Sequence, residues 1–243
     1  MRPLHLIMPM AGEGRRFTNA GWHTPKPLIE LRGVPLFMRA VRSVFIEGAQ
    51  MKYSLIVRKD HIDHDQIDER IRQQLPDANI LSVKNTTRGA VETCLIAEQS
   101  IGEDDAILVM DCDLEFRSRS FLEGVKQALE LPAEDAKGGI LVSFESDDPR
   151  YSYAEVDANM VVRQTAEKEV ISHHALCGAY FFSSARSFLK AAHRLLEDPT
   201  LTKSEFYVSL LFNYLIADGE TITLTTMEEY NSYGTPEELS RYL

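Results

Sequence analysis

Short apolar runs alternate with amphipathic segments through the first half of the chain. Residues 4–10, 53–57, 80–83 and 106–110 are nearly continuous in apolar character, the pattern of strands buried on both faces. Residues 35–48 place Leu36, Phe37, Ala40, Val41, Val44 and Phe45 along one helical face, with Pro35 in the first turn. Residues 89–99 and 120–131 repeat that spacing. Strands alternating with helices predict crossover connections, a mainly parallel sheet and helices on both of its faces. Ligands of such sheets bind beyond the carboxyl ends of the strands.

The second half is richer in strand patterns. Residues 138–145, 152–156, 160–164 and 176–183 read as strands, with a hairpin turn at Asp157-Ala158-Asn159 that lacks the favoured glycine. Helices are predicted at 185–197 and 204–217, and a strand at 221–226. A short helix starts at Pro236, with Thr235 as its cap and Glu238 completing a capping box. No repeat, low-complexity tract or long linker divides the chain, so residues 1–243 are expected to form one domain.

Composition is that of an ordinary globular protein, 44% hydrophobic and 26% charged, and no apolar run is long enough to span a bilayer. The N-terminus has no signal-peptide pattern, and the three isolated cysteines form no CxxC pair. These features point to a reducing cytoplasm. The net charge of −11 argues against nucleic-acid and acidic-membrane partners. Its distribution adds more. Residues 1–60 hold ten Lys and Arg against four acids, a local net of +6 that leaves −17 for the rest. A basic opening on an acidic protein fits a local anion site.

Candidate chemistry begins where the first strand ends, at Ala11-Gly12-Glu13-Gly14-Arg15-Arg16-Phe17. Glycines let backbone N–H groups approach an anion with no Cβ in the way. The loop lacks the GxxxxGK[ST] of a Walker A motif and the third glycine of the dinucleotide fingerprint. Lys26 follows, restricted between Pro25 and Pro27. Two glycines, two arginines and a fixed lysine suit a polyphosphate. Asp111-Cys112-Asp113 closes the run 106–110, where carboxylates suit a hard cation. Asp113 is the stronger ligand, and Asp111 a second ligand or an orienting group. In Glu167-Lys168, the lysine can neutralise a phosphate on a second substrate and the glutamate can accept from hydroxyls. His61, His64 and the pair His173-His174 lack a supporting constellation and read as surface or satisfied histidines. Cys112 reads as packing.

Taken together these segments resemble the sugar-1-phosphate nucleotidylyltransferases, or nucleoside-diphosphate-sugar pyrophosphorylases. The resemblance rests first on residues 10–17 with Pro25-Lys26-Pro27-Leu28-Ile29. It continues in order through Thr87-Arg88-Gly89-Ala90, Asp111-Cys112-Asp113, Glu167-Lys168, residues 176–182 and Gly234-Thr235-Pro236-Glu237. It implies an α/β, Rossmann-like fold of GT-A type: a mainly parallel mixed sheet flanked by helices, with a more β-rich acceptor-binding half. Residues 1–135 would mainly bind nucleotide and 136–243 mainly acceptor. The loop Ala11, Gly12, Glu13, Gly14, Arg15 and Arg16 would hold the triphosphate, and Thr87 and Gly89 would lie near the base. Lys26 would bind phosphate and stabilise charge in transfer. Asp113 would hold magnesium or manganese, and Glu167, Lys168 and Gly178 would line the acceptor site. Two departures stand out. Arg15 occupies a position where many members carry a small hydroxyl residue. Many members also have a metal-binding aspartate shortly before GTPE, where this chain reads Glu229-Tyr230-Asn231-Ser232-Tyr233. Asn231, Glu229 and Asp111 are the candidate substitutes.

The implied reaction is attack of an acceptor phosphate oxygen on the α-phosphorus of an NTP, with Arg16, Lys26 and Asp113 as its catalytic groups. The partners are an NTP and a phosphorylated small molecule, with no nucleic acid and no membrane; a homo-oligomer is left open. Surface-glycan synthesis is the family-level setting. Two other readings compete: a GT-A glycosyltransferase using a nucleotide sugar, and a nucleotide-binding sensor with weak catalysis.

Overall fold

The computed structural model describes residues 1–198 and 205–243. Its strands in chain order are β1 (Leu4–Met10), β2 (Glu30–Leu31), β3 (Val34–Pro35), β4 (Met51–Arg58), β5 (Asn79–Val83), β6 (Ala106–Met110) and β7 (Leu114–Arg117). They continue with β8 (Gly139–Glu145), β9 (Ser152–Val156), β10 (Val162–Glu167), β11 (His174–Phe182), β12 (Ile222–Thr226) and β13 (Glu229–Ser232). The helices are α1 (Arg15–Asn19), α2 (Leu36–Ser43), α3 (Lys59–Asp65), α4 (Ile67–Gln74), α5 (Ala90–Leu95), α6 (Arg119–Glu130), α7 (Ala185–Glu197), α8 (Leu211–Ala217) and α9 (Pro236–Ser240).

A nine-stranded mixed sheet runs β10-β9-β11-β6-β1-β4-β5, with β8 beside β11 and β12 beside β8. The pairs β1–β4, β1–β6, β4–β5 and β8–β12 are parallel. The long strand β11 runs antiparallel to both β6 and β8. This is the mainly parallel sheet flanked by helices that the alternation predicts.

The apolar runs are continuous because helices cover both faces. From β1, Leu4, Leu6, Met8 and Met10 enter one core, with Phe37 and Val41 of α2, Ile67 and Ile71 of α4 and Phe121 of α6. Ile7 and Ala11 point the other way, into a core with Phe188 of α7 and Phe212 of α8. There Phe182 and Phe212 stack with ring centroids 4.5 Å apart. A third cluster joins Phe17, Ile29, Leu31 and Leu36 to Tyr233 and Leu239. It clamps the loop after β1 to the last helix, so the first and last motifs of the chain meet.

Several expected boundaries move. The helix expected over 35–48 ends at Ser43, and Phe45 is 56% exposed, off the buried face. The segment 89–99 divides into α5 and a 3-10 turn at Glu98–Ser100. The strand expected at 160–164 is shifted to Val162–Glu167, because Met160 takes a left-handed φ of 59° in the turn. Asp157 replaces the missing glycine of that turn: its Oδ1 accepts the N–H groups of Asn159 at 2.8 Å and Val161 at 3.0 Å. The helix expected over 204–217 is a 3-10 turn, Val208–Leu210, followed by α8, and Ser204 lies outside the described residues. Thr235 does cap α9, accepting from the Glu238 N–H at 3.2 Å. The Glu238 carboxylate, however, turns away from any capping box, to Ser232 at 2.7 Å and Arg150 at 2.7 Å. Among the described residues, no helix is long and apolar enough to cross a membrane.

Candidate active site

The carboxyl ends of β1 and β6 lie side by side, because the two strands pair in parallel. The segments that follow them therefore meet. Asp111 and Asp113 line two adjoining cavities, one of about 350 Å³ and one of about 300 Å³. The larger is walled by Gly12, Glu13 and Gly14, by Pro25, Lys26 and Pro27, and by His61 and Asp65. The smaller is walled by Arg16, Arg150, Tyr151, Glu167, Lys168, Gly178, Tyr207, Tyr230 and Glu238.

The glycine loop is open toward its cavity. Gly14 takes a left-handed φ of 63°, and a Cβ at Gly12 or Gly14 would meet nothing within 4 Å. Among the described residues, the N–H groups of Gly12, Glu13 and Gly14 have no hydrogen-bond partner. Unclaimed donors with two glycines that put no Cβ in the way are what an anion needs, and the Glu13 carboxylate between them is engaged by Arg15 and Thr86. Ala11 is buried in the core, and Arg15 points away, 79% exposed and paired with Glu13. Arg16 turns to the smaller cavity. The +6 of the opening segment is spread more widely than a single anion site. Arg2 and Lys52 sit at the amino-terminal edge of the sheet, against the carbonyl of Leu131 and the carboxylate of Asp105, and Arg39 pairs with Glu115.

Lys26 donates to Asp113 Oδ2 across the boundary between the cavities. Burial pulls the ammonium down most, but the charge and hydrogen bond of Asp113 together with Cys112 and Asp111 outweigh it, so the Lys26 pKa is raised. The backbone of Asp113 is held by the Tyr233 N–H at 2.7 Å. Asp111 is pushed up to about 7, first by burial and then by the charge of Asp113. Gly178 makes this close approach feasible. It sits at a register shift in β11 with φ of 100°, and its carbonyl accepts from the Asp111 N–H at 2.9 Å.

The shift at Asp111 has a sign for stability. A carboxyl that holds its proton more tightly when folded contributes stability below its ordinary value of 3.8 and loses it as pH rises through about 7. Asp111→Asn is therefore expected to exceed the parent in stability at pH 8 by roughly 1–3 kcal/mol, and to match it at pH 4. Urea midpoints in metal-free buffer at the two pH values check this. Equal midpoints at pH 8 would show that the Asp111 charge is already compensated.

In the smaller cavity, Glu167 ends β10 and accepts from Ser152 Oγ and, at 3.0 Å, from Ser209 Oγ. Burial raises its pKa, and the two hydroxyls oppose that shift. Lys168 follows in a left-handed conformation (φ 56°) and donates to Tyr207 Oη, its Nζ 4.6 Å from the centre of that ring. Sequence reasoning missed the rest of this wall. Arg150 lies over the Tyr151 ring at 4.7 Å and binds Glu238, while Phe144 stacks on Tyr230 at 4.3 Å. Only the adjacency of Arg150 and Tyr151 to a strand start hinted at this wall; the contacts themselves are tertiary.

The structure does not bring every candidate to this place. Thr87 and Gly89 line neither cavity. Thr87 Oγ1 bonds Thr93 Oγ1 at 2.6 Å, and a Cβ at Gly89 would lie 2.4 Å from the Phe206 nitrogen. Asn231 is not beside the aspartates. Strand alternation turns Tyr230 and Ser232 to the smaller cavity and Asn231 and Tyr233 to the opposite face, where Asn231 stands across from Glu115. Glu229 pairs with Arg117, and Glu228 accepts from the Arg119 N–H, so neither reaches the site.

Known proteins of similar structure share this arrangement of chain. A nucleoside-diphosphate-sugar pyrophosphorylase from Vibrio cholerae RC9 superposes with a TM-score of 0.81 at 26% identity, covering 98% of this chain and 99% of that one. A putative glucose-1-phosphate thymidylyltransferase from Bacillus anthracis gives 0.77 at 20% identity, covering 98% and 93%. An inositol-1-phosphate CTP transferase from T. maritima gives 0.72 at 15% identity, covering 100% and 94%. The latter two likenesses concern the fold. The comparison with curated proteins gave no match. The family model described as nucleotidyl transferase matches residues 5–230, and with a glycine-rich loop, a lysine and paired aspartates meeting at the ends of β1 and β6, the chain belongs to the nucleotidyl transferase family.

Proposed function

We propose that this nucleotidyltransferase moves an NMP group from an NTP to the phosphate of a sugar 1-phosphate or a similar phosphorylated polyol, releasing pyrophosphate. The observation that carries this reading is the shared wall. Asp111 and Asp113 face both an anion-suited cavity and a second cavity equipped with a carboxylate and cations. The pyrophosphorylase similar at 26% identity over nearly its whole length supports the same acceptor class.

In this reading the N–H groups of Gly12, Glu13 and Gly14 bind the triphosphate. Lys26 faces the α-phosphate and offsets charge as the leaving oxygen develops it. Glu167 accepts from sugar hydroxyls, and Lys168 and Arg16 hold the acceptor phosphate. That phosphate is already ionised, so positioning replaces a general base. The site also fits magnesium or manganese. Two carboxylates crowd one buried corner, and Asp111 is driven up by burial first and then by its neighbour, which is the electrostatic condition a cation relieves. Among the described residues, no three acidic, His or Cys side chains form a metal cluster, so Asp113 and Asp111 would hold the ion with substrate oxygens completing its shell. When bound, the metal supplies charge neutralisation on the phosphates. Three buried free cysteines accord with a cytoplasmic protein.

The test is pyrophosphate release by purified protein with magnesium, over the common NTPs and a panel of sugar 1-phosphates. Release that needs one NTP together with one acceptor is expected. Sugar transfer from a nucleotide sugar without pyrophosphate would restore the glycosyltransferase reading. NTP binding with no release for any acceptor would favour the sensor.

A further inference from the structure

His61 reads from the sequence as a surface or satisfied histidine, and the structure places it otherwise. It lies in α3, directly after β4, whose carboxyl end is parallel to that of β1. The first turn of α3 thus stands beside the glycine loop. Glu13 of that loop accepts from Thr86 Oγ1 at 3.0 Å, and Thr86 is in turn contacted by Arg58 at 3.5 Å, just before α3. His61 lines the same cavity as Gly12, Gly14 and Lys26.

Its hydrogen bonding is incomplete. Nδ1 is shut away from solvent with no partner, and among the described residues Nε2 has none either. Buried polar groups in folded proteins are almost always paired, and one left unpaired at a cavity marks a place for a ligand. A proton on the enclosed Nδ1 would be a donor with no acceptor. The neutral ring therefore carries its proton on Nε2. Burial holds the imidazole pKa below its ordinary value, although Asp60 and Asp65 pull the other way, so the ring is neutral near pH 7. The same cavity carries the carboxylates of Glu13, Asp65, Asp111 and Asp113, of which Glu13 is paired with Arg15 and Asp113 with Lys26; against them, three free N–H groups, the Lys26 ammonium and a neutral His61 donor are what a ligand that only accepts can use.

We propose that His61 Nε2–H donates to an oxygen of the β,γ-diphosphate of the bound NTP, positioning the pyrophosphate leaving group. This rests on the nucleotidyl-transfer reading. His61 is a positioning residue here: it forms no bond to the reacting phosphorus and transfers no proton.

The reverse reaction separates the possibilities, because pyrophosphate and the nucleotide product are then distinct substrates. His61→Phe is expected to raise KM for NTP forward and for pyrophosphate in reverse by roughly 10- to 100-fold. KM for the acceptor and for the nucleotide product should stay within about two-fold. His61→Gln, whose amide nitrogen approximates Nε2, should recover most of the loss, and His61→Asn, which approximates Nδ1, should not. An equal rise for pyrophosphate and product, an unchanged KM for pyrophosphate, or rescue by Asn instead of Gln would overturn the proposal. If His61→Phe fails to fold, the Gln and Asn pair carries the same decision. If the wild type releases no pyrophosphate at all, the nucleotidyl-transfer reading falls on its own. Calorimetric titration of wild type and His61→Gln against His61→Asn with inorganic pyrophosphate then still decides His61: tighter binding by the first two supports it, and equal binding overturns it.

Discussion

Lys26→Ala is expected to lower kcat/KM by about 100-fold or more while the fold persists, and Asp113→Asn to do the same. Lys26 is the cation that faces both aspartates, and it is held between two prolines in a short 3-10 turn at Lys26–Leu28. Its removal leaves Asp111 and Asp113 as uncompensated like charges beside the cavity proposed for the triphosphate. Removal of the Asp113 charge leaves Lys26 without its partner and the site without its best cation ligand. Because the two side chains form one ion pair, their losses should not add. The double variant is expected to fall within about ten-fold of the worse single variant. Initial rates of pyrophosphate release, with circular dichroism as the folding control, measure this. Near-wild-type turnover in both single variants would remove these residues from the reacting centre.

Gly178→Ala should damage both stability and turnover, for a reason visible only in three dimensions. At φ of 100° an L-residue is strained, and a Cβ there would lie 2.5 Å from Asp111 Oδ2 and 2.8 Å from Leu114 Cδ2. Leu114 is core, so Asp111 must give way, and with it the wall shared by the two cavities. The expected cost is about 1–3 kcal/mol of stability and at least roughly ten-fold in turnover. Gly219→Ala is the matched control. Its φ of 81° imposes similar strain, but nothing lies within 4 Å of the added methyl. It should lose about 1 kcal/mol and no activity. If the two variants lose activity alike, the close packing of Gly178 on Asp111 is not what places that carboxylate.

Much of this molecule is legible in one dimension because the signals are local. A strand buried on both faces is apolar at nearly every position, which is why Leu4–Met10, with only His5 polar and that residue paired to Ser54 and Asp105, and Ala106–Met110 emerge with their true ends. Helix α7 likewise keeps its expected bounds, because Ser184 caps it through the Ser187 N–H. The glycine loop, Lys26 and the two aspartates are legible because residue type and spacing alone limit what such segments can bind. Less was legible where a strand is short and its partner distant. Strands β7 and β13 are four residues each, and they exist because they pair with each other. That pairing sets which residues near Gly234 face inward, and it sends Asn231 to the far side.

Local patterns along the chain suffice for the alternation of strands and helices, for the glycine-rich loop after β1 and for the family resemblance, since each motif rests on neighbours within a few residues. The tertiary structure alone decided which charges meet. It scattered the cations of the first sixty residues and joined Lys26 to Asp113. It turned Glu238 toward Arg150 and Ser232, and left His61 unpaired beside the loop. Electrostatics and hydrogen bonding act over a few ångströms of space and take no account of separation along the chain. Contacts between residues 26 and 113, or 150 and 238, therefore have no signature in any local pattern.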